Sequence, residues 1–300
     1  MANDHSLAHP APDANKYYIP HDSHWPIVGS VSLFVMMFGA IAFLNEWTGA
    51  WAFLPGAILL ITMFVGWFHT VIGENQHGIY NMQVDKSFRM GMMWFIFSEV
   101  MFFAAFFGAL FYARALAVPW LGGGGVKIFN SIVLWPEFNS AWPTNGPGLV
   151  GGKEDSTFEI IPAFGLPAIN TAILLLSGVT VTIAHHALRA QKRGTLAIFL
   201  AATFILGFLF VGLQAEEYGH AYAELGLKLS TGIYGSTFFM LTGFHGLHVT
   251  IGAIMLLIIW LRVVRGHFTP QRHFAFEAVA WYWHFVDVVW LGLFVFVYWI

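Results

Sequence analysis

The chain has 300 residues, with 13 Lys or Arg and 16 Asp or Glu, so only 10% of it is charged while 58% is hydrophobic and 18% aromatic. A soluble domain carries about 25% charged residues, so a soluble, disordered, collagenous or nucleic-acid-binding protein is excluded and a polytopic membrane protein is implied. There is no cysteine, which removes disulfides, iron–sulfur clusters and thiolate metal sites, and a net charge of −3 is too small to imply an anionic partner.

Residues 1–22 form a polar N-terminal tail, expected to be cytoplasmic, and the first 19 do not read as a signal peptide. Residues 23–45 and 47–73 contain no Lys, Arg, Asp or Glu. Each is long enough to cross about 30 Å of hydrocarbon at about 1.5 Å per residue. They predict helices near 26–45 and 51–72, so 23–72 is the first membrane segment. Residues 73–90 follow as a cytoplasmic loop. The segment 91–300 holds five more helices, near 91–118, 163–188, 195–215, 233–262 and 278–300. The architecture expected is all-α, with seven transmembrane helices. β-Barrel strands alternate in polarity over about ten residues, and these runs are apolar on every side.

Orientation follows from the distribution of Lys and Arg. With the N-terminus inside, Lys16, Lys86, Arg89, Arg189, Lys192, Arg193, Arg262, Arg265 and Arg272 face inward. Arg114, Lys127, Lys153 and Lys228 face outward. One outer loop, 119–162, is long and rich in Pro and Gly, and it carries Trp120, Trp135 and Trp142. These Trp residues are expected to anchor the loop on a neighbouring subunit or the membrane interface.

Few side chains could carry chemistry inside the membrane. Glu99 lies in the middle of the third span, with Phe95, Phe102, Phe103 and Phe106 at helical spacing around it. A charge there costs about 2.5–3.5 kcal/mol on insertion scales, so the carboxyl is expected to be neutral or hydrogen-bonded within the bundle. His284 and Asp287 sit at i, i+3 on the last helix and read as an intramembrane structural pair. His245 and His248 share a helix face, whereas the adjacent His185 and His186 do not. Glu74 with His77 and Glu217 with His220 match Glu-x-x-His, the element of di-iron bundles. They are expected on opposite membrane faces, which argues against such a centre. No metal site and no catalytic residue is predicted. Arg89, Arg262 and Arg265, with Trp67 and His77, gather where inner helix ends meet lipid headgroups. Two readings stay open for them: snorkelling cations that set topology, or a phospholipid headgroup site.

Several runs together resemble the subunit III family of cytochrome c oxidases, a heme-copper oxidase family. They are His24-Trp25-Pro26-Ile27, Ser98-Glu99-Val100-Met101-Phe102-Phe103, Ala184-His185-His186, Tyr234-Gly235-Ser236-Thr237-Phe238-Phe239, Thr242-Gly243-Phe244-His245-Gly246-Leu247-His248-Val249 and Ala280-Trp281-Tyr282-Trp283-His284-Phe285-Val286-Asp287. The resemblance covers roughly 20–118 and 160–300. It implies a two-helix and a five-helix bundle with a lipid-holding cleft. It also implies a non-catalytic subunit of a proton-pumping cytochrome c oxidase in aerobic respiration. Such a subunit packs on subunit I, within a complex that includes subunit II and receives electrons from cytochrome c. It supports proton uptake, oxygen access and turnover stability. Heme and copper are then expected in partner subunits, with none in this chain, and phospholipids are its own ligands. Glu99 matches the family's carbodiimide-reactive carboxyl, and Arg89 and Arg262 match arginines at lipid headgroups. The chain departs from the family pattern at Gly108, where Trp is usual, at Gly73, and in the spacing of Glu74–Val84. The 119–159 stretch, longer than is usual in the family, favours a bacterial inner membrane. The alternatives are the equivalent subunit of a quinol oxidase and a proton-coupled membrane transporter.

Overall fold

A computed structural model describes residues 22–299. The expected polar tail therefore lies outside the described residues, apart from Asp22. Among the described residues every regular element is helical, and seven helices are long and apolar enough to span a bilayer. The described residues divide into two compact units, the boundary falling between Met90 and Gly91.

The first unit is built on α1 (Trp25–Leu44) and α2 (Leu54–Gln76), with a 3₁₀ turn at Ala50–Phe53 leading into the second. Each helix opens with Pro in its first turn, where the missing N–H is not needed. Neither helix can gain much by burying apolar surface, because lipid is as apolar as Leu. Close backbone approach holds them instead. Gly56 lies so near Met36 that a Cβ would come within 2.6 Å of its Cα, and Gly39 packs directly on the backbone of Ala52. At the other end Gly66 accommodates the Trp25 ring, whose Nε1 donates to Thr70 Oγ1 at 3.2 Å.

Helix α3 (Met82–Tyr112) begins well before residue 91, so the expected loop 73–90 shrinks to the few residues after α2. Asn81 accounts for the early start: its Oδ1 accepts from the Val84 N–H at 3.0 Å, as an N-cap does. The first turns of α3 then carry Asp85, Lys86 and Arg89. At its far end α3 widens into a π-type turn at Ala113–Ala117 before the one-turn α4 (Val118–Leu121). Pro119 lies just beyond, and its ring would crowd the carbonyl four residues back in a regular helix.

In the second unit α5 (Leu166–Arg189), α6 (Arg193–Ala223), α7 (Gly232–Val264) and α8 (Phe274–Leu293) pack together. A π-type turn at Phe294–Trp299 extends α8. Half of the α8 span is buried, against 11% for that of α3, so α8 forms the centre. Trp283 and Trp290 are 0% and 1% exposed. Their indole N–H groups donate to Ser177 Oγ and Thr171 Oγ1 of α5, each at 2.9 Å. Trp283 fits because Gly207 of α6 and Gly252 of α7 leave its ring room.

Helix α6 outruns the predicted end at 215 by two turns. Glu216 and Glu217 marked that end in the sequence, but Glu216 is exposed on the helix and the Glu217 side chain is buried, its Oε1 accepting from the Tyr298 hydroxyl at 2.7 Å. The outer loop also has order of its own. Its second half lies on the α6–α7 connection, where Glu159 N–H donates to Leu225 O at 2.9 Å. Asn145 is buried against Gly232, whose φ of 49° and lack of a Cβ permit the approach. Trp142 packs edge-on against Tyr234, 5.6 Å between centroids, and Trp120 against Tyr112. The three loop Trp residues thus do not make one exposed cluster. An ion pair between Lys153 and Glu159 (2.6 Å) holds the Glu159 carboxyl below its ordinary range.

Candidate functional site: an intramembrane Glu–His pair and a basic helix end

Glu99, half-buried on α3, points at α7. Its Oε2 lies 2.9 Å from His248 Nε2. The other ring nitrogen, Nδ1, lies 2.6 Å from the carbonyl oxygen of Phe244, one helical turn back. A carbonyl only accepts, so Nδ1 carries a hydrogen. The contact between Nε2 and Oε2 therefore holds a single proton, borne either by the carboxyl or by the imidazole. Aromatic rings close the site. Phe103 meets the His248 ring edge-on at 5.0 Å, Phe102 lies at 5.9 Å, and Tyr282 of α8 stacks at 6.4 Å. Its hydroxyl donates to His248 O at 3.4 Å.

The i, i+3 pair of His248 with His245 does not act as a unit. His245 turns into the core, fully buried, where its Nε2 donates to Val286 O at 3.2 Å and its ring lies 5.0 Å from Trp290. The sequence reading left Glu99 without a named polar partner. Its partner stands 149 residues away, and only the packing of α3 on α7 chooses His248 over His245.

Asp287 is buried on α8, with Oδ2 3.6 Å from His284 Nδ1. His284 reaches Thr182 Oγ1 of α5 through its other nitrogen at 3.2 Å. Gly178 makes room for the carboxyl, since a Cβ there would collide with Oδ2.

The basic residues are disposed differently from one another. Arg89 is half-buried, and its Nε donates to Asp85 Oδ2 at 2.8 Å, an i, i+4 partner legible in the sequence but not assigned there. Trp67 is 44% exposed. His77 follows α2 as an exposed residue, with Nδ1 2.7 Å from Gly73 O. In the second unit Arg265 is exposed at the end of α7, but Arg262 is only 7% exposed. Its guanidinium lies 4.5 Å from the Phe268 ring centre, and its Nε is buried without a hydrogen-bond partner. Arg262 is thus far more buried than Arg265. Burial lowers the pKa of the nearby His267, and the cations of Arg262 and Arg265 lower it further.

A third group was absent from the sequence reading. His185, His273 and Glu277 bring one donor atom each to a common point. Their separation in sequence, 88 residues between the two histidines, hid it.

The sequence model of the family described as "Cytochrome c oxidase subunit III" matches residues 15–126 and 125–300. The chain belongs to the cytochrome c oxidase subunit III family. Among its relatives, proteins named "Cytochrome c oxidase subunit 3" from Danio rerio and Squalus acanthias are 41% and 40% identical to it, each over 96% of this chain and 98% of the relative. One from Marchantia polymorpha is 39% identical over 94% of this chain and 96% of its own length. The matched spans thus reach into both units and include the positions of the Glu99 site.

Proposed function

We propose that the chain is the non-catalytic subunit III of a proton-pumping cytochrome c oxidase. Near-full-length similarity to proteins of that name carries the reading. It packs on subunit I, in a complex that includes subunit II and accepts electrons from cytochrome c. Heme and copper reside in those partners. The presence of α1 and α2 favours a cytochrome c oxidase over a quinol oxidase, whose equivalent subunit lacks them. The positive charge at the α5, α6 and α7 ends supports a cytoplasmic N-terminus and a periplasmic C-terminus, and the long outer loop supports a bacterial inner membrane.

In this role the Glu99–His248 contact is a proton-holding cross-link between α3 and α7, not a step on a proton path. The other ring N–H of His248 donates to the Phe244 carbonyl, which cannot relay a proton onward. The aromatic wall suits lipid or oxygen better than water. Arg262 is the stronger phosphate ligand of the predicted set, because Arg89 is already joined to Asp85 and a guanidinium fork matches phosphate oxygens.

Gentle detergent purification from native membranes tests the reading. Larger chains carrying heme and copper should co-purify, with an oxidase optical spectrum that survives Glu99→Gln. Isolation of the chain free of any heme-bearing partner would overturn it.

A further inference from the structure

We propose that His185, His273 and Glu277 form a binding site for a divalent transition-metal cation of the zinc class. The site lies at the end of the second unit where α5 and α7 finish and α6 and α8 begin. His185 sits just before the last turn of α5 (Leu166–Arg189). His273 is the residue that caps α8, and Glu277 follows one turn on. The N–H groups of Phe276 and Glu277 both donate to His273 O, at 2.9 and 3.2 Å, which sets the i, i+4 spacing of the two α8 ligands. The His185 ring rests on Phe276, 5.5 Å between centroids, and Phe276 is 1% exposed. Both helices thus present their donors from firm backbone.

The donor geometry is that of a metal polyhedron. His185 Nε2 lies 3.3 Å from His273 Nε2. Glu277 Oε1 lies 3.2 Å from His273 Nε2 and 3.6 Å from His185 Nε2. Zinc bonds of about 2.0–2.1 Å in a tetrahedron place neighbouring ligands about 3.3–3.4 Å apart. The three observed edges bracket that value. A hydrogen bond joins two of these atoms at a time, whereas a cation at the centre of the triangle satisfies all three lone pairs.

The donor types narrow the ion. Two imidazoles and one carboxylate suit zinc and its neighbours, while calcium and magnesium demand an oxygen shell. Access is open, since the side chains of His185 and Glu277 are 26% and 16% exposed. Three protein ligands leave a fourth position for water or a partner's side chain. A bound ion would tie α5 to α8, the central helix, and so brace the unit's core from its end. The inference rests on these three residues and not on the proposed oxidase role.

Metal analysis of the protein as isolated, with whatever subunits accompany it, tests the site. After exposure to zinc and washing, wild type should retain one zinc per chain more than His273→Ala or Glu277→Gln. Each variant should weaken zinc binding more than about 100-fold, since losing a ligand costs more than losing its outer-shell support. His186→Ala is the control, because that ring turns away to Thr182 O at 2.9 Å; it should bind as wild type does. Equal zinc in wild type and Glu277→Gln, which keeps the side chain's shape, overturns the proposal, as does a His186→Ala variant that loses the ion. If His273→Ala fails to assemble, Glu277→Gln alone decides.

Discussion

Replacing Glu99 by Ala strands the imidazole of His248. Nδ1 keeps its bond to Phe244 O, but Nε2 loses the acidic partner 2.9 Å away. The side chains of His248 and Glu99 are 11% and 21% exposed, so water replaces the lost contact poorly. A polar contact between membrane helices is worth about 0.6–1.7 kcal/mol, and an unsatisfied buried polar atom costs about 1–3 kcal/mol. Glu99→Ala should therefore destabilise the chain by about 2 kcal/mol. Glu99→Gln should cost under about 0.5 kcal/mol, because the amide N–H can donate to the neutral Nε2. Unfolding in detergent, followed by circular dichroism, measures both. The decisive quantity is the interaction energy in the Glu99→Ala, His248→Ala cycle, expected near 1 kcal/mol. Additivity to within about 0.3 kcal/mol, the behaviour of uncoupled sites, would show that the contact contributes nothing. In vesicles, Glu99→Gln should leave the number of protons pumped per electron unchanged. Loss of pumping with normal assembly would place Glu99 on a proton path and refute the cross-link role.

Two further outcomes follow from the packing. Native mass spectrometry should show Arg262→Ala losing a tightly bound phospholipid that Arg89→Ala, whose wild-type side chain is already paired with Asp85, largely keeps; identical lipid retention in Arg262→Ala would remove the headgroup assignment. Gly207→Ala should destabilise by about 1–2 kcal/mol despite the better helix propensity of Ala, because its Cβ would stand 2.6 Å from the Trp283 ring, well inside the usual contact of about 3.5 Å. Ser177 holds the indole in place, so the ring cannot easily yield. Trp283→Phe in the same chain should recover part of the loss in a thermal melt.

Membrane class, the number of spans and their order were legible from the sequence, because a bilayer imposes a single length and an apolar composition on every helix that crosses it. The residues most costly to place in lipid, Glu99 and Asp287, were visible for the same reason. The His284–Asp287 proximity was visible too, since i, i+3 spacing is local. Helix ends were less legible. Asn81 starts α3 early through a side-chain cap, and α6 runs past Glu217 with the Tyr298 hydroxyl donating to its carboxyl. Charge alone made both stretches look like loops. Tertiary structure decided the long-range partners. His248 and not His245 meets Glu99, and Arg262 is buried while Arg265 stays exposed. His185, His273 and Glu277 converge from the ends of two helices. Hydrophobic periodicity cannot rank such choices, because these helices are apolar all round and carry little signal of which face turns inward. The selection comes from glycines at the contacts. Gly178 admits Asp287, and Gly207 and Gly252 admit Trp283, so that α8 sits at the centre and sets which polar side chains of its neighbours can touch.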